Sequence, residues 1–285
     1  MERIQELRRF FAHLVTANAG IPAGSELEAA FASIPREQFV GPPPWRIFTP
    51  VGYIGTSSED PSVLYQDVVV SLGTDAPLNN GQPTLHAYCL NALNLRKGEH
   101  VLHIGAGSGY YTTILARLVG ESGSVDAYEI DPELAQRAGS NLAQLPQVRV
   151  HARSGATGPL PACNAIYVNA GATEPLTVWL NALKPRGRLL FPLTPASGAG
   201  AMLLVTRPDT SGQPATMQEE EIYAARFLMQ VAFVPCVGAR DEAMAKKLTR
   251  AFRNRNWDKV KSLRRNDAPD RNCWLSGDGW WLSTN

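Results

Sequence analysis

The sequence predicts an α/β chain built on a doubly wound, mostly parallel sheet, and three observations carry that expectation. From about residue 85, short apolar runs alternate with amphipathic stretches joined by short turns. One apolar run, Val101, Leu102 and Ile104, meets a glycine-rich turn and then at once an amphipathic helix, in HVLHIGAGSGYYTTILARL (100–118). After residue 201 the alternation gives way to two strand-like segments with no long helix between them, which marks an antiparallel edge.

The elements follow in chain order. Ile4, Leu7, Phe11, Leu14 and Val15 recur at helical spacing over 2–18, and Gly20 with Pro22 ends that helix. A short helix spans 25–34, with Ser25 as N-cap, Glu28 as its capping-box partner and Pro35 as its stop. Residues 41–61, rich in Gly, Pro, Ser and Thr, read as a long loop. Helices are expected over 85–95, 110–119, 132–145 and 175–183. Seven strands are expected: 101–104, 124–129, 148–151, 165–169, 188–191, 202–207 and 224–235. A helix over 242–252 opens a basic, Trp-bearing C-terminal tail. The expected division is an N-terminal helical and loop cap (1–84), an α/β core (85–239) and a C-terminal helical extension (240–285). Trp274, Trp280 and Trp281 read as anchors of that extension.

Composition narrows the function classes. The 285 residues carry a formal net charge of +1 with both signs interspersed, which argues against a dedicated nucleic-acid binder. The four cysteines (Cys89, Cys163, Cys236, Cys273) form no CxxC or CxxH pair, so no metal site is expected. Glu2, Arg3, Glu6, Arg8 and Arg9 interrupt any apolar leader, and no apolar run is long enough to span a bilayer. A cytoplasmic chain without membrane contact is the expectation.

The glycine loop holds the strongest chemical signal. A strand that ends in Gly105, Gly107 and Gly109 strips side chains from the backbone where a nucleoside-sized ligand approaches. The dinucleotide fingerprint is G-x-G-x-x-G, whereas here the spacing is G-x-G-x-G and Tyr110 stands where the third glycine would be. Glu129 closes the next strand, where a carboxylate accepts both hydroxyls of a ribose. An adenosine-bearing cofactor is therefore expected.

The G-x-G-x-G spacing resembles the first motif of class I S-adenosylmethionine-dependent methyltransferases. Over most of residues 25–238 the chain resembles the protein-L-isoaspartate O-methyltransferase family in particular. IPREQFV (34–40), Tyr65-Gln66-Asp67, NNGQP (79–83), VNAGA (168–172), LKPRGRLLFPL (183–193) and FVPCVG (233–238) fall in that family's order. The resemblance implies a Rossmann-like fold, S-adenosyl-L-methionine as cofactor and a carboxylate on a peptide or protein as substrate. It implies cofactor contacts from the first strand and loop: His103, Gly105, Ala106, Gly107, Gly109 and Tyr110. It adds Glu129 and Ile130 after the next strand, Ser154 and Gly155 in the turn after the third, Asn169 after the fourth, and Gln82.

The sequence also departs from the family. Asn79 and Gly81 replace the threonine and serine of its Thr-Ile-Ser-Gln-Pro loop, and 67–83 is a couple of residues longer. The expected catalytic residues are thus Asn79, Asn80 and Gly81, with the Asn80 amide orienting the carboxylate. His103 replaces an acid, and Ser154 replaces an aspartate. The departures leave two alternatives: a methyltransferase of a modified peptide or small acid, or a cofactor-binding partner protein without catalysis.

Overall fold

A computed structural model describes residues 2–73, 78–195, 199–209 and 222–285. The chain divides into two compact units, Met1–His100 with Ala106–Arg153, and Val101–Gly105 with Ser154–Asn285.

The first unit opens with helices α1 (Glu2–Asn18) and α2 (Glu26–Ser33), which pack through Phe11 and Phe31, edge to face at 6.1 Å. Ser25 caps α2 by accepting from the Glu28 N–H, as expected. The Glu28 carboxylate, however, takes the N–H of Gly24. Where a loop was expected over 41–61 there is a short antiparallel hairpin, β1 (Arg46–Thr49) with β2 (Gly52–Gly55). Its turn is closed by Thr49, whose hydroxyl donates to the Gly52 carbonyl at 2.6 Å. At its base Trp45, Val40, Leu64 and Val70 form a small buried cluster. Polar, glycine-rich composition hid this hairpin, because a four-residue strand carries almost no period.

The rest of the first unit follows the expected alternation. Helix α3 (Pro83–Leu93) starts with Pro at a position that needs no N–H and ends at left-handed Asn94. Helix α4 spans Tyr110–Val119. Strand β4 (Ser124–Tyr128) runs parallel to β5 (Val148–His151). Between them lies α5 (Pro132–Leu142), capped by the Asp131 side chain. Asp126 of β4 accepts from Nε2 of both His100 and His151, each at 2.6 Å.

The second unit is built on β3 (His100–Ile104, its first residue in the other unit), β6 (Cys163–Val168), β7 (Leu183–Leu193), β8 (Gly200–Thr206) and β9 (Ile222–Val231). Helices α6 (Thr177–Ala182) and α7 (Glu242–Arg253) accompany them, and β10 (Ser262–Arg264), β11 (Cys273–Ser276) and β12 (Trp281–Ser283) close the chain. The strand order is β11-β12-β10-β9-β8-β7-β6-β3. The β3–β6 and β6–β7 pairs are parallel, and the pairs from β7 onward are antiparallel.

Two expectations are corrected here. The sheet has more than seven strands, since this unit alone aligns eight. The C-terminal extension is helical only over α7 and then adds three strands to the sheet. Segments of three or four residues among Gly, Asp and Arg give no readable alternation, and only pairing with β9 makes them strands. The aromatic anchors are as expected: Trp280 and Trp281 are buried, and Phe252, Trp257 and Trp274 meet Phe227 edge to face at 5.3–5.8 Å.

Candidate active site

In the first unit the glycine loop is fixed by its own backbone. Ala106 donates its N–H to the Tyr128 carbonyl at the end of β4, 3.1 Å away. Gly107 N–H donates to Oε2 of Glu129 at 2.7 Å, and Asp131 N–H donates to Oε1 at 2.9 Å. Glu129 is only 6% exposed, and burial pushes its carboxyl pKa up against these two bonds, which push it down. Each carboxylate oxygen still has a lone pair for a further donor. Gly109 has φ +95°, and a Cβ there would stand 2.9 Å from Leu142, so this glycine lets α4 start against α5. Ile130, next to the acid, keeps an apolar side chain 47% exposed. Tyr110 turns its ring into the N-terminal helices, 5.5 Å from Phe39 and 6.4 Å from Phe31. What Tyr110 offers a ligand is therefore its backbone, because its side chain belongs to the core.

The second unit holds the other expected cofactor residues. His103 is fully buried, stacks on Tyr167 and accepts from Asn169 Nδ2 at 2.8 Å. Burial lowers its pKa to about 3, so it is a neutral, hydrogen-bonded packing group and too weakly basic to act as a base. Asn169 Oδ1 is buried with no partner. A Cβ on Gly105 would stand 3.4 Å from the Asn169 backbone. The Ser154 hydroxyl is engaged locally, donating to the Val237 carbonyl at 3.2 Å and accepting from Ala156 N–H at 3.1 Å. Gly155 packs flat on Ile104, where a Cβ would come within 2.7 Å, and its carbonyl accepts from Trp179 Nε1.

The loop 79–82, again in the first unit, is organised around a buried cation. Arg36 is fully buried and donates to the carbonyls of Leu64, Gln66 and Val68 and to Asn80 Oδ1 at 3.3 Å. Burial lowers the Arg36 pKa, and the field of Tyr111, Tyr110 and Asp67 opposes that. Asn80 Oδ1 also accepts from Val70 N–H at 2.9 Å, while its Nδ2, in a residue 7% exposed, has no partner. Asn79 is a turn former whose Oδ1 accepts from Gly81 N–H. Gln82 donates to Asp67, whose other oxygen accepts the Thr84 N–H in the first turn of α3. Gly81 has φ +70°, and a Cβ on it would fall inside the His86 imidazole.

Sequence reasoning missed Arg36, Asp67 and His86 as partners of this loop. The available signal was a lone arginine in the otherwise apolar IPREQFV and an acid in Tyr65-Gln66-Asp67. Among the described residues no three His, Cys, Asp or Glu side chains are grouped to hold a metal. No helix is long and apolar enough to cross a membrane among them.

The bare glycine loop, the buried carboxylate with free lone pairs and the unpartnered Asn169 Oδ1 fit a nucleoside cofactor with hydroxyl and ammonium groups. Comparison with known proteins agrees with that chemistry. Residues 13–241 match the family Protein-L-isoaspartate(D-aspartate) O-methyltransferase (PCMT). The protein-L-isoaspartate O-methyltransferase of Brucella anthropi is 35% identical over 171 residues, 58% of this chain and 74% of its own length. That of Ignicoccus hospitalis is 30% identical over 216 residues, 74% of this chain and 89% of its own. A solved protein-L-isoaspartate O-methyltransferase has a TM-score of 0.64 at 23% identity, covering 86% of this chain and 69% of its own. A putative one from Plasmodium falciparum, solved with S-adenosyl-L-homocysteine, has a TM-score of 0.60 at 18% identity, covering 81% and 98%. These two likenesses give the fold, a Rossmann-like α/β sheet, as the sequence predicts. With four fifths of its length inside the family match and relatives above 30% identity, the chain belongs to the protein-L-isoaspartate O-methyltransferase family.

Proposed function

We propose that this chain is an S-adenosyl-L-methionine-dependent O-methyltransferase acting on a carboxylate of a peptide or protein, the isoaspartyl carboxylate first among them. The observation that carries the cofactor half is the buried Glu129 carboxylate, bonded to the N–H of Gly107 in a loop without side chains. The bound cofactor would supply a methyl group on a positively charged sulfur, which a carboxylate oxygen takes up without any proton transfer. A carboxylate is already ionised at neutral pH, so no general base is needed. That agrees with the buried, neutral His103.

The residues then have positioning tasks. Glu129 would accept the ribose hydroxyls, and Ile130 offers the apolar cover that a purine needs. Family resemblance gives Gly105, Ser154, Gly155 and Asn169 to cofactor contacts as well, and the unpartnered Asn169 Oδ1 suits an ammonium. Asn80 would donate Nδ2 to the substrate carboxylate, with Arg36 behind its Oδ1 strengthening that donor. Titration calorimetry with S-adenosyl-L-homocysteine, beside NAD, tests the cofactor; heat with NAD alone would sink it. Methyl-ester formation on an isoaspartyl peptide, beside a normal aspartyl control, tests the substrate. Cofactor binding with no ester on either peptide would favour a different carboxylate, the reading that Gly81 in the substrate loop supports.

A further inference from the structure

We propose that His86 is a positioning residue for the substrate carboxylate, set by its imidazole in the space that a side chain at position 81 would occupy. This rests on the reading that loop 79–82 faces the carboxylate. Gly81 adopts φ +70°, and an ideal Cβ there would overlap His86 at Nε2, with Cδ2 at 2.8 Å and Cε1 at 3.2 Å. The glycine is therefore what this ring requires. The nearest ring atom to the loop is a nitrogen, so the imidazole brings a polar atom to that spot.

The ring is held there firmly. His86 is 2% exposed, and its ring stacks on Tyr111 with centroids 3.7 Å apart and planes 16° apart. Its backbone N–H donates to the Gln82 carbonyl at 3.1 Å, so it sits in the first turns of α3 directly behind the loop. A side chain locked in this way holds a hydrogen-bonding atom in place with little entropy left to lose on binding.

A second observation points to a ligand at the same loop. Asn80 has its Oδ1 saturated by Arg36 and Val70, yet its Nδ2 is buried with no partner. A buried amide donor without an acceptor costs about 1–3 kcal/mol, which a bound acceptor recovers. The third polar side chain of the loop, Gln82, is committed to Asp67. A carboxylate has two oxygens: one must be free to attack, and the other takes donors. Asn80 Nδ2 and the His86 ring nitrogen supply a two-point hold on that second oxygen, and it fixes which oxygen faces the methyl group. No bond to His86 forms or breaks, and no proton is transferred.

The test uses the full chain saturated with S-adenosyl-L-homocysteine for binding, and with S-adenosyl-L-methionine for turnover. His86→Phe keeps an aromatic ring on Tyr111 and removes the nitrogens. His86→Gln returns a hydrogen-bonding group on a flexible stem. The expected result for His86→Phe is S-adenosyl-L-homocysteine affinity within twofold of the parent. The peptide Kd and KM should rise at least tenfold, with kcat changed less. His86→Gln should recover part of that loss. If His86→Phe keeps peptide Kd and kcat/KM within twofold, the ring is packing only and the proposal falls. Parallel loss of cofactor affinity in both variants also overturns it, by making the role structural. A parent that binds cofactor but neither binds nor esterifies the isoaspartyl peptide overturns the substrate reading, and this proposal with it. An active parent with an unaffected His86→Phe overturns the proposal alone.

Discussion

Two loops of the first unit use glycine for opposite reasons. In Ala106–Gly109 the missing side chains leave backbone N–H groups bare above a buried acid, and the space is left for something that binds. In Asn79–Gln82 the missing side chain at Gly81 leaves space that the protein fills itself, with His86. The first loop keeps the pattern of its family and the second departs from it. The comparison teaches that a glycine in place of a functional residue need not be a loss. It is read correctly only with the neighbour that moves into the vacated volume.

Four perturbations would break or sharpen this contrast. The largest effect is expected from Arg36→Leu, which strips a buried cation from three carbonyls and from Asn80. Unfolding free energy by urea titration should fall by more than about 3 kcal/mol, since bonds to a charged group are worth about 1.5–3 kcal/mol each. A loss below about 1 kcal/mol would mean that the substrate loop is held by something else.

Next comes Glu129→Ala. S-adenosyl-L-homocysteine affinity measured by calorimetry should drop about 10- to 100-fold, the loss of one or two charge-assisted hydrogen bonds. An unchanged Kd would detach the acid from the cofactor and leave the glycine loop without its ligand.

Gly81→Ser sharpens the other half. The backbone at φ +70° and the overlap with His86 should together cost about 1–3 kcal/mol of stability and lower peptide turnover. A serine variant as stable as the parent and more active would show that the two loops do not differ in the way described.

The smallest effect concerns the support under Glu129. Hydrogen bonds from His100 first, then from His151, lower the Asp126 pKa to about 2, against a contribution from burial that raises it. A carboxyl whose folded pKa lies below its unfolded value stabilises the fold above the unfolded value, and that gain is lost as pH falls through the folded one. The parent should therefore lose about 1 kcal/mol more than Asp126→Asn between about pH 4 and pH 2, allowing for solvent screening. Parallel curves for the two proteins would remove Asp126 as a clamp on β4.

Legibility in the sequence differed between the same two loops. Glu129 and the glycine spacing could be placed because a strand, a tight turn and a helix encode one another locally. Helices α1, α4 and α7 were legible for the same reason, each carrying an apolar stripe long enough to count. Asn80 was singled out, but the reason its amide is available was not legible. That reason lies in Arg36, 44 residues earlier, which takes the other end of the side chain. Tyr110 was assigned to the ligand by position, yet its ring was claimed by Phe31 and Phe39, two partners from distant segments.

The sequence by itself determined the α/β alternation, the family and the cofactor loop, because each is written in spacings of a few residues that local sterics and hydrogen bonding enforce. Only the tertiary structure decided that His86 fills the place left by Gly81, that Arg36 is buried beneath Asn80, and that the C-terminal tail extends the sheet. Those outcomes depend on which distant atoms compete for the same volume and the same acceptors. Periodicity and composition carry no record of that competition.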